Sequence, residues 1–168
     1  MDDKQKKQSE AMSARRMAKT KQDRKHVLSS KSGFYLKEAY RSLRTNIEFA
    51  MANTEGCKVV MVTSSMQSEG KSITALNLAI SFAQMEKKVL LIDADLRRPK
   101  QARLMNQNAP VGLSNLLMDL KQLGSAVVKN EEHRVDMVFA GDIPPNPAEL
   151  LASQKMKQLL ATLRERYD

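Results

Sequence analysis

The chain has 168 residues, a net charge of +9 and one cysteine, which suits about one folded domain. No apolar run approaches the roughly 18 residues of a membrane-spanning helix, and the N-terminus has no apolar core of a secretory signal. Cys57 has no partner for a disulfide and lies at the edge of an apolar run, so we interpret it as a packing residue. These features favour a cytoplasmic protein.

Residues 1–32 are predicted to form a disordered basic tail. Residues 1–31 contain ten Lys/Arg against four Asp/Glu, a net +6, and no aromatic residue. Such a segment buries too little apolar surface to offset the entropy lost on ordering. Its charge fits either a solvated tail or attraction to an anionic membrane face or an acidic partner. Nucleic-acid binding is not expected, because no aromatic side chains are interleaved to stack on bases.

The first predicted helix runs from about Phe34 to Ala52, because apolar residues recur there at steps of three and four. Glu38, Arg41 and Arg44 form a charged stripe beside the apolar one. By pattern alone, this stripe is as compatible with a solvated face as with a contact surface.

A βαβ unit is predicted next. The apolar, β-branched run Cys57–Thr63 is typical of a buried strand, Ser72–Glu86 has helical periodicity, and Lys88–Ala94 is a second buried strand. The two strands of such a unit are expected to be parallel, with a right-handed crossover.

Later segments add fewer strands than an α/β sheet usually has. GLSNLLMD predicts a short helix with Ser114 as a possible cap, Leu120–Val128 another short helix, Val135–Phe139 a third strand, and the chain from about Ala148 a final helix. Since α/β sheets normally cover helices on both faces, we expect an α/β fold whose parallel sheet is incomplete.

The stretch SSMQSEGKS between the first strand and its helix ends like a phosphate-binding loop, G-x-x-x-x-G-K-[ST]. Gly70 allows close approach of phosphate, Lys71 can reach the β- and γ-phosphates, and the Ser72 hydroxyl can ligate Mg²⁺. Ser65 replaces the first glycine. The predicted nucleotide-binding residues are Ser65, Met66, Gln67, Ser68, Glu69, Gly70, Lys71 and Ser72, with ATP and Mg²⁺ as the expected ligands.

Two carboxylates follow the second predicted strand. Asp93 and Asp95 fall at its carboxyl end, the rim at which open parallel sheets bind ligands. Alternation along an extended chain would place both on one side, near the metal and the γ-phosphate. In isolation they would be a polar strand end paired with Arg97 and Arg98, but a preceding phosphate loop favours a catalytic role.

The run VLLIDADLRRP resembles the second Walker A-type motif of the bacterial tyrosine kinases of capsular and exopolysaccharide synthesis. LKEAYRSLRTNI, the loop running into NLAISFAQ, and AGDIPPNPAELLAS resemble the same family, over about residues 33–168. This resemblance implies a P-loop NTPase-like, doubly wound parallel sheet. It also implies transfer of the γ-phosphoryl of ATP to tyrosine hydroxyls of the kinase itself and of other proteins.

The resemblance implies roles for individual residues as well. Lys71 would stabilise the phosphates and Asp93 would orient or deprotonate the tyrosine, while Ser72 and Asp95 would hold Mg²⁺. Glu38, Arg41 and Arg44 match the family's E-x-x-R-x-x-R stripe, associated with self-assembly into a ring. The implied partners are a membrane-anchored activator of the polysaccharide co-polymerase type and protein tyrosine substrates, with recruitment to the inner face of the cell membrane.

Two departures from the family leave alternatives open. Met66 stands where partition-type ATPases carry a signature lysine, which argues against assigning the chain to that class. The chain stops at Asp168, before the Walker B strand and the tyrosine-rich tail of the family, so residues 33–168 correspond to the N-terminal portion of the kinase domain. The alternative to a kinase is therefore a catalytically silent interaction module that binds the activator.

Overall fold

The computed structural model describes residue 22 and residues 24–168. Most of the predicted 1–32 tail therefore lies outside the described residues. None of the described helices is both long enough and apolar enough to cross a membrane. In chain order the elements are α1 (Phe34–Ala50), α2 (Lys71–Ala83), β1 (Val89–Ile92), α3 (Gln101–Met105), α4 (Leu113–Met118), α5 (Leu123–Ala126), β2 (Val127–Asn130), β3 (Val135–Val138), α6 (Pro147–Leu151) and α7 (Gln154–Arg164).

The described strands form one sheet in the order β1-β3-β2. β1 runs parallel to β3, with Val89 opposite Val135, whereas β2 pairs antiparallel with β3. The α/β class is confirmed, and β1 and β3 are parallel. The parallel pair predicted between Cys57–Thr63 and Lys88–Ala94 is not formed among the described residues. The sheet as a whole is mixed rather than purely parallel, because a short connection returns the chain from β2 directly into β3.

Helices cover both faces of this sheet. In β3, Met137 packs into one apolar cluster with Leu76 and Ile80 of α2, while Val138 packs into the other with Leu117 of α4. Successive side chains of a strand point to opposite faces, so the apolar run of β3 serves both clusters. The central strand thus holds the two helical layers in place.

The predicted strand at Cys57–Thr63 is wrong: this segment pairs with no strand among the described residues. Met61 is 83% exposed, and Val59 and Val60 are exposed as well. Asp168 lies between this segment and β1, since its carbonyl accepts from the Lys58 N–H (2.6 Å) and its N–H donates to the Lys88 carbonyl (3.0 Å). Apolar, β-branched composition predicts a strand only where a neighbouring strand supplies the ladder.

The predicted helix Leu120–Val128 is also only partly correct. A 3₁₀ turn over Leu120–Gln122 leads into α5, and the chain then becomes β2, whose Val127 and Val128 pair with β3. β-Branched residues favour the strand once a partner is available. Helix α4 starts at Gly112 as its N-cap, so Ser114 is a buried helical residue and not the cap.

The boundary of the predicted tail lies too far along the chain. Leu28 is only 2% exposed and belongs to the core around α2. The amide side chain of Asn77 in α2 accepts from the Leu28 N–H and donates to the His26 carbonyl, both at 2.8 Å. The Arg24 guanidinium donates to the Arg103 carbonyl. The buried Leu28 and these long-range hydrogen bonds hold residues 24–32 against the folded domain. Such contacts cannot be predicted from amino-acid composition.

Gly112 lies where two backbone segments meet. A Cβ at this position would be 2.2 Å from the Gly141 nitrogen, whereas a Cβ at Gly124 in α5 would meet nothing within 4 Å. We expect Gly112→Ala to lower the free energy of unfolding by about 1–3 kcal/mol, because backbone must move. Gly124→Ala should raise it by up to about 1 kcal/mol through helix propensity. Urea unfolding of both variants checks this, and equal effects would contradict the packing described.

Candidate nucleotide-binding site

The loop from Ser64 to Gly70 turns the chain into α2. Gly70, the N-cap of α2, has φ +89°, a left-handed conformation that glycine adopts without strain. This turn starts the helix at Lys71 and directs the N–H groups of its first turn toward the loop. The Ser72 hydroxyl makes no hydrogen bond to any residue that the structure describes. A helix N-terminus with open donors attracts anions, phosphate in particular.

Contacts within the loop show that its backbone can donate a hydrogen bond to an anionic oxygen. The Glu69 carboxylate accepts from the Met66 N–H at 3.0 Å, and this hydrogen bond lowers the pKa of Glu69. The Met66 carbonyl in turn accepts from the Ser64 hydroxyl (3.0 Å) and from the Lys71 ammonium (3.1 Å). Lys71 is thus held over the loop, and the N–H and ammonium donors of the loop suit a phosphate group.

Asp93 follows β1 directly and is buried. One carboxylate oxygen accepts from the Asp95 N–H (3.2 Å), and the other accepts from the N–H groups of Lys100 (3.1 Å) and Gln101 (3.0 Å). Burial raises the pKa of Asp93, against the opposing effect of these three donors. The side chain therefore fastens the start of α3 to the end of β1.

Asp95, in contrast, is exposed. One of its oxygens accepts from the Arg98 N–H at 3.0 Å, and its second oxygen has no donor in the described part of the chain. No group of three or more His, Cys, Asp or Glu suited to a metal is found among the described residues. Mg²⁺ commonly binds through one or two protein ligands together with phosphates and water. The free carboxylate oxygen of Asp95 and the hydroxyl of Ser72 are suitable ligands of that kind.

Two side chains join the acidic segment to the loop. The Gln101 amide donates to the Ser72 carbonyl at 2.9 Å, and the Arg98 guanidinium contacts the Gln67 side-chain oxygen. The segment that follows β1 therefore lies against the loop, through Gln101 and Arg98 and not through the carboxylates themselves. Sequence reasoning missed Gln101 and Arg98 as its connectors, because a five-residue helix such as α3 has too little periodicity to recognise.

The predicted stripe on α1 divides into two environments. Glu38 and Arg41 form an ion pair at 3.1 Å on the surface. Arg44 is only 8% exposed, and its guanidinium donates to the Ser81 carbonyl (2.6 Å) and hydroxyl (3.2 Å). Arg44 thus holds α1 against α2, and the solvent-facing part of the stripe consists of the exposed Arg41 and the half-buried Glu38.

The loop, the helix that follows it and the acidic strand end define a P-loop nucleotide-binding protein of the α/β class. The family described as CobQ/CobB/MinD/ParA nucleotide binding domain matches residues 60–168. The chain belongs to that family.

Similar proteins carry more specific names. The chain is 48% identical over 131 residues to the tyrosine-protein kinase YwqD of Bacillus subtilis (strain 168), covering 78% of this chain and 55% of the relative. It is 35% identical over 133 residues to the putative tyrosine-protein kinase CapB of Staphylococcus aureus, covering 79% and 58%. The chain thus spans somewhat over half the length of these relatives.

Solved structures agree in fold. The kinase domain of the Escherichia coli tyrosine kinase ETK superposes with a TM-score of 0.75 at 38% identity, covering 79% of this chain and 52% of that structure. The chimerical protein CapA2B2 gives 0.73 at 35% identity, covering 82% and 59%.

Asp93 and Asp95 should differ in their effect on stability. Asp93→Asn places an amide against three N–H donors and should lower the free energy of unfolding by about 1–3 kcal/mol. Asp95→Asn alters one exposed acceptor and should stay within about 0.5 kcal/mol of the parent. Urea unfolding of the two variants measures both values. If Asp95→Asn were the more destabilised of the two, the capping role of Asp93 would be wrong.

Proposed function

We propose that the chain is the nucleotide-binding portion of an ATP-dependent protein-tyrosine kinase, an autokinase that regulates capsular or exopolysaccharide synthesis. The observation that carries the proposal is the hydrogen bond from Gln101 to Ser72, which sets the acidic segment after β1 against the phosphate loop. Similarity at 35–48% identity to proteins named tyrosine-protein kinases or putative tyrosine-protein kinases supports the same reaction class.

In this proposal the loop binds ATP with Mg²⁺. When bound, ATP supplies the phosphoryl group and the ion neutralises charge on its oxygens. The backbone donors of residues 65–72 would hold the phosphates, and the Lys71 ammonium, which now donates to the Met66 carbonyl, would contact them. The Ser72 hydroxyl and the exposed oxygen of Asp95 are the protein ligands offered to the ion. Glu69 must release the Met66 N–H, since its carboxylate uses that donor.

We propose that Asp93 acts mainly by holding neighbouring residues in position. Both of its carboxylate oxygens accept backbone N–H groups, which keeps Asp95 and Gln101 in place beside the loop. The oxygen that accepts only from the Asp95 N–H keeps one free acceptor position, but the carboxylate is buried, so a tyrosine hydroxyl has little access to it. The exposed Asp95 carboxylate is the more accessible of the two to an incoming hydroxyl.

The proposed partners are a membrane-anchored activator, protein tyrosine substrates and further copies of the chain in a ring. Support comes from α1, where the solvent-facing Glu38–Arg41 pair lies on the same helix as the exposed aromatic residues Phe34 and Phe49. Recruitment to the inner face of the cell membrane would follow from binding the activator.

One observation favours the second candidate, a catalytically silent module. The segment Cys57–Thr63 leads into the loop without a strand partner among the described residues, so the base of the loop is less supported than the rest of the site. Such a module would bind nucleotide or activator but transfer no phosphate.

Transfer from labelled ATP in the presence of Mg²⁺ to a random Glu/Tyr copolymer tests the kinase directly. We expect phosphotyrosine on the polymer, and we expect Lys71→Met to reduce the rate by about 10²-fold or more, because it removes a preorganised cation. Lys87→Met, at an exposed position between α2 and β1, is the matched control and should keep the parental rate.

Polymer labelling that does not differ between the parent chain and Lys71→Met would rule out transfer at this loop. Binding of ATP without any labelling would favour the silent module.

A further inference from the structure

The three tyrosines of the chain differ sharply in accessibility. Tyr35, in the first turn of α1, is 88% exposed, and its hydroxyl makes no hydrogen bond to the described residues. Its ring packs edge-to-face on Phe34, itself exposed, with centroids 5.9 Å apart. The Tyr35 hydroxyl can therefore enter another molecule's site without unfolding of this one.

Tyr40 and Tyr167 lack this freedom. Tyr40 is partly buried against the core cluster beneath α2. The Tyr167 hydroxyl donates to the Asp136 carboxylate at 2.8 Å, and its ring packs on the cluster that contains Val138. Burial and that carboxylate raise the pKa of Tyr167, so its phenolate is harder to form. Phosphate on Tyr167 would break its hydrogen bond to Asp136, and Tyr40 is less accessible than Tyr35 because its side chain packs against the core.

Tyr35 lies far from the phosphate loop of its own chain. The middle of α1 contacts Ser81 through Arg44 and the Tyr40 carbonyl, and Ser81 is ten residues beyond Lys71, about 15 Å along a helix. Toward its N-terminus α1 reaches the Ser30 carbonyl through Lys37, and Ser30 lines a cavity with Gln84 at the end of α2. Tyr35, in α1, thus lies near the C-terminal end of α2, whereas the phosphate loop is at the N-terminal end of α2.

We propose that Tyr35 is a phosphoryl-acceptor site of this protein, modified by a second copy of the chain. The inference rests on the proposed kinase function and adds the acceptor and its geometry. The Tyr35 phenolic oxygen of one copy forms the new O–P bond to the γ-phosphorus of ATP held by another copy. The bond between that phosphorus and the β–γ bridging oxygen breaks, ADP leaves, and the phenolic proton is released to solvent.

The fold accommodates the product. Tyr35 is in the first turn of the 17-residue helix α1, where the helix dipole stabilises negative charge. No acidic residue is present in that first turn, and Glu38, three residues after Tyr35, is already paired with Arg41. The phosphate would project beside the Glu38–Arg41 pair, on the same surface that the ring proposal uses.

The test separates donor from acceptor. A ¹⁵N-labelled Lys71→Met chain serves as acceptor and the unlabelled parent chain as donor, with Mg²⁺ and ATP. Tandem mass spectrometry then locates phosphate on the heavy chain. The same reaction is repeated with Lys71→Met acceptors that also carry Tyr35→Phe, Tyr40→Phe or Tyr167→Phe. A Glu/Tyr copolymer in a parallel reaction reports kinase activity independently of any acceptor in the chain.

We expect phosphate at Tyr35 of the heavy chain and loss of most of it with Tyr35→Phe, while Tyr40→Phe and Tyr167→Phe retain it. A labelled copolymer with the heavy chain unmodified, or modified mainly at Tyr40 or Tyr167, would overturn the acceptor assignment alone. An unlabelled copolymer together with an unmodified heavy chain would overturn the kinase proposal and this inference with it.

Discussion

The hydrogen bonds that the buried Asp93 carboxylate accepts are the constraint on which the rest of the site depends. Through the N–H groups of Lys100 and Gln101 they start α3 at the end of β1, and Gln101 then reaches the Ser72 carbonyl. The acidic segment and the phosphate loop are far apart in sequence, and side-chain contacts of this kind hold them together. Removing a buried carboxylate leaves its donors unpaired, so the site and the local fold are coupled energetically.

The sheet supplies the frame for that coupling. β3 is the central strand and contributes side chains to both apolar clusters, so α2 packs on one face of the sheet and α4 on the other. β1 pairs with β3 in parallel, and its carboxyl end therefore comes to the edge from which Asp93 and Asp95 extend. Arg44 adds a second attachment by joining α1 to α2 at Ser81. α1 is thereby divided into an anchored side and an exposed side that carries Tyr35.

Much of this arrangement follows from sequence, and the failures have physical causes. Local signals were enough for α1, α2, β1, β3 and the loop, because helical periodicity and the G-K-S ending are properties of short segments. Cys57–Thr63 was predicted as a strand from composition, yet a strand needs a partner and no described residue supplies one. Val127 and Val128 were predicted as helix because their pairing with β3 is not encoded locally. The hydrogen bond from the Leu28 N–H to Asn77, the role of Gln101 and the burial of Arg44 depend on tertiary contacts.

The most direct measurement of this coupling is the affinity of the chain for Mg²⁺–ADP by isothermal titration calorimetry, compared between Gln101→Met and Gln84→Met. Gln101→Met keeps the buried volume but removes the donor to Ser72, whereas Gln84 is exposed at the far end of α2. Loss of one hydrogen bond at the loop should weaken binding by about tenfold in Gln101→Met and leave Gln84→Met at the parental affinity. Parental affinity in a folded Gln101→Met chain would contradict the coupling.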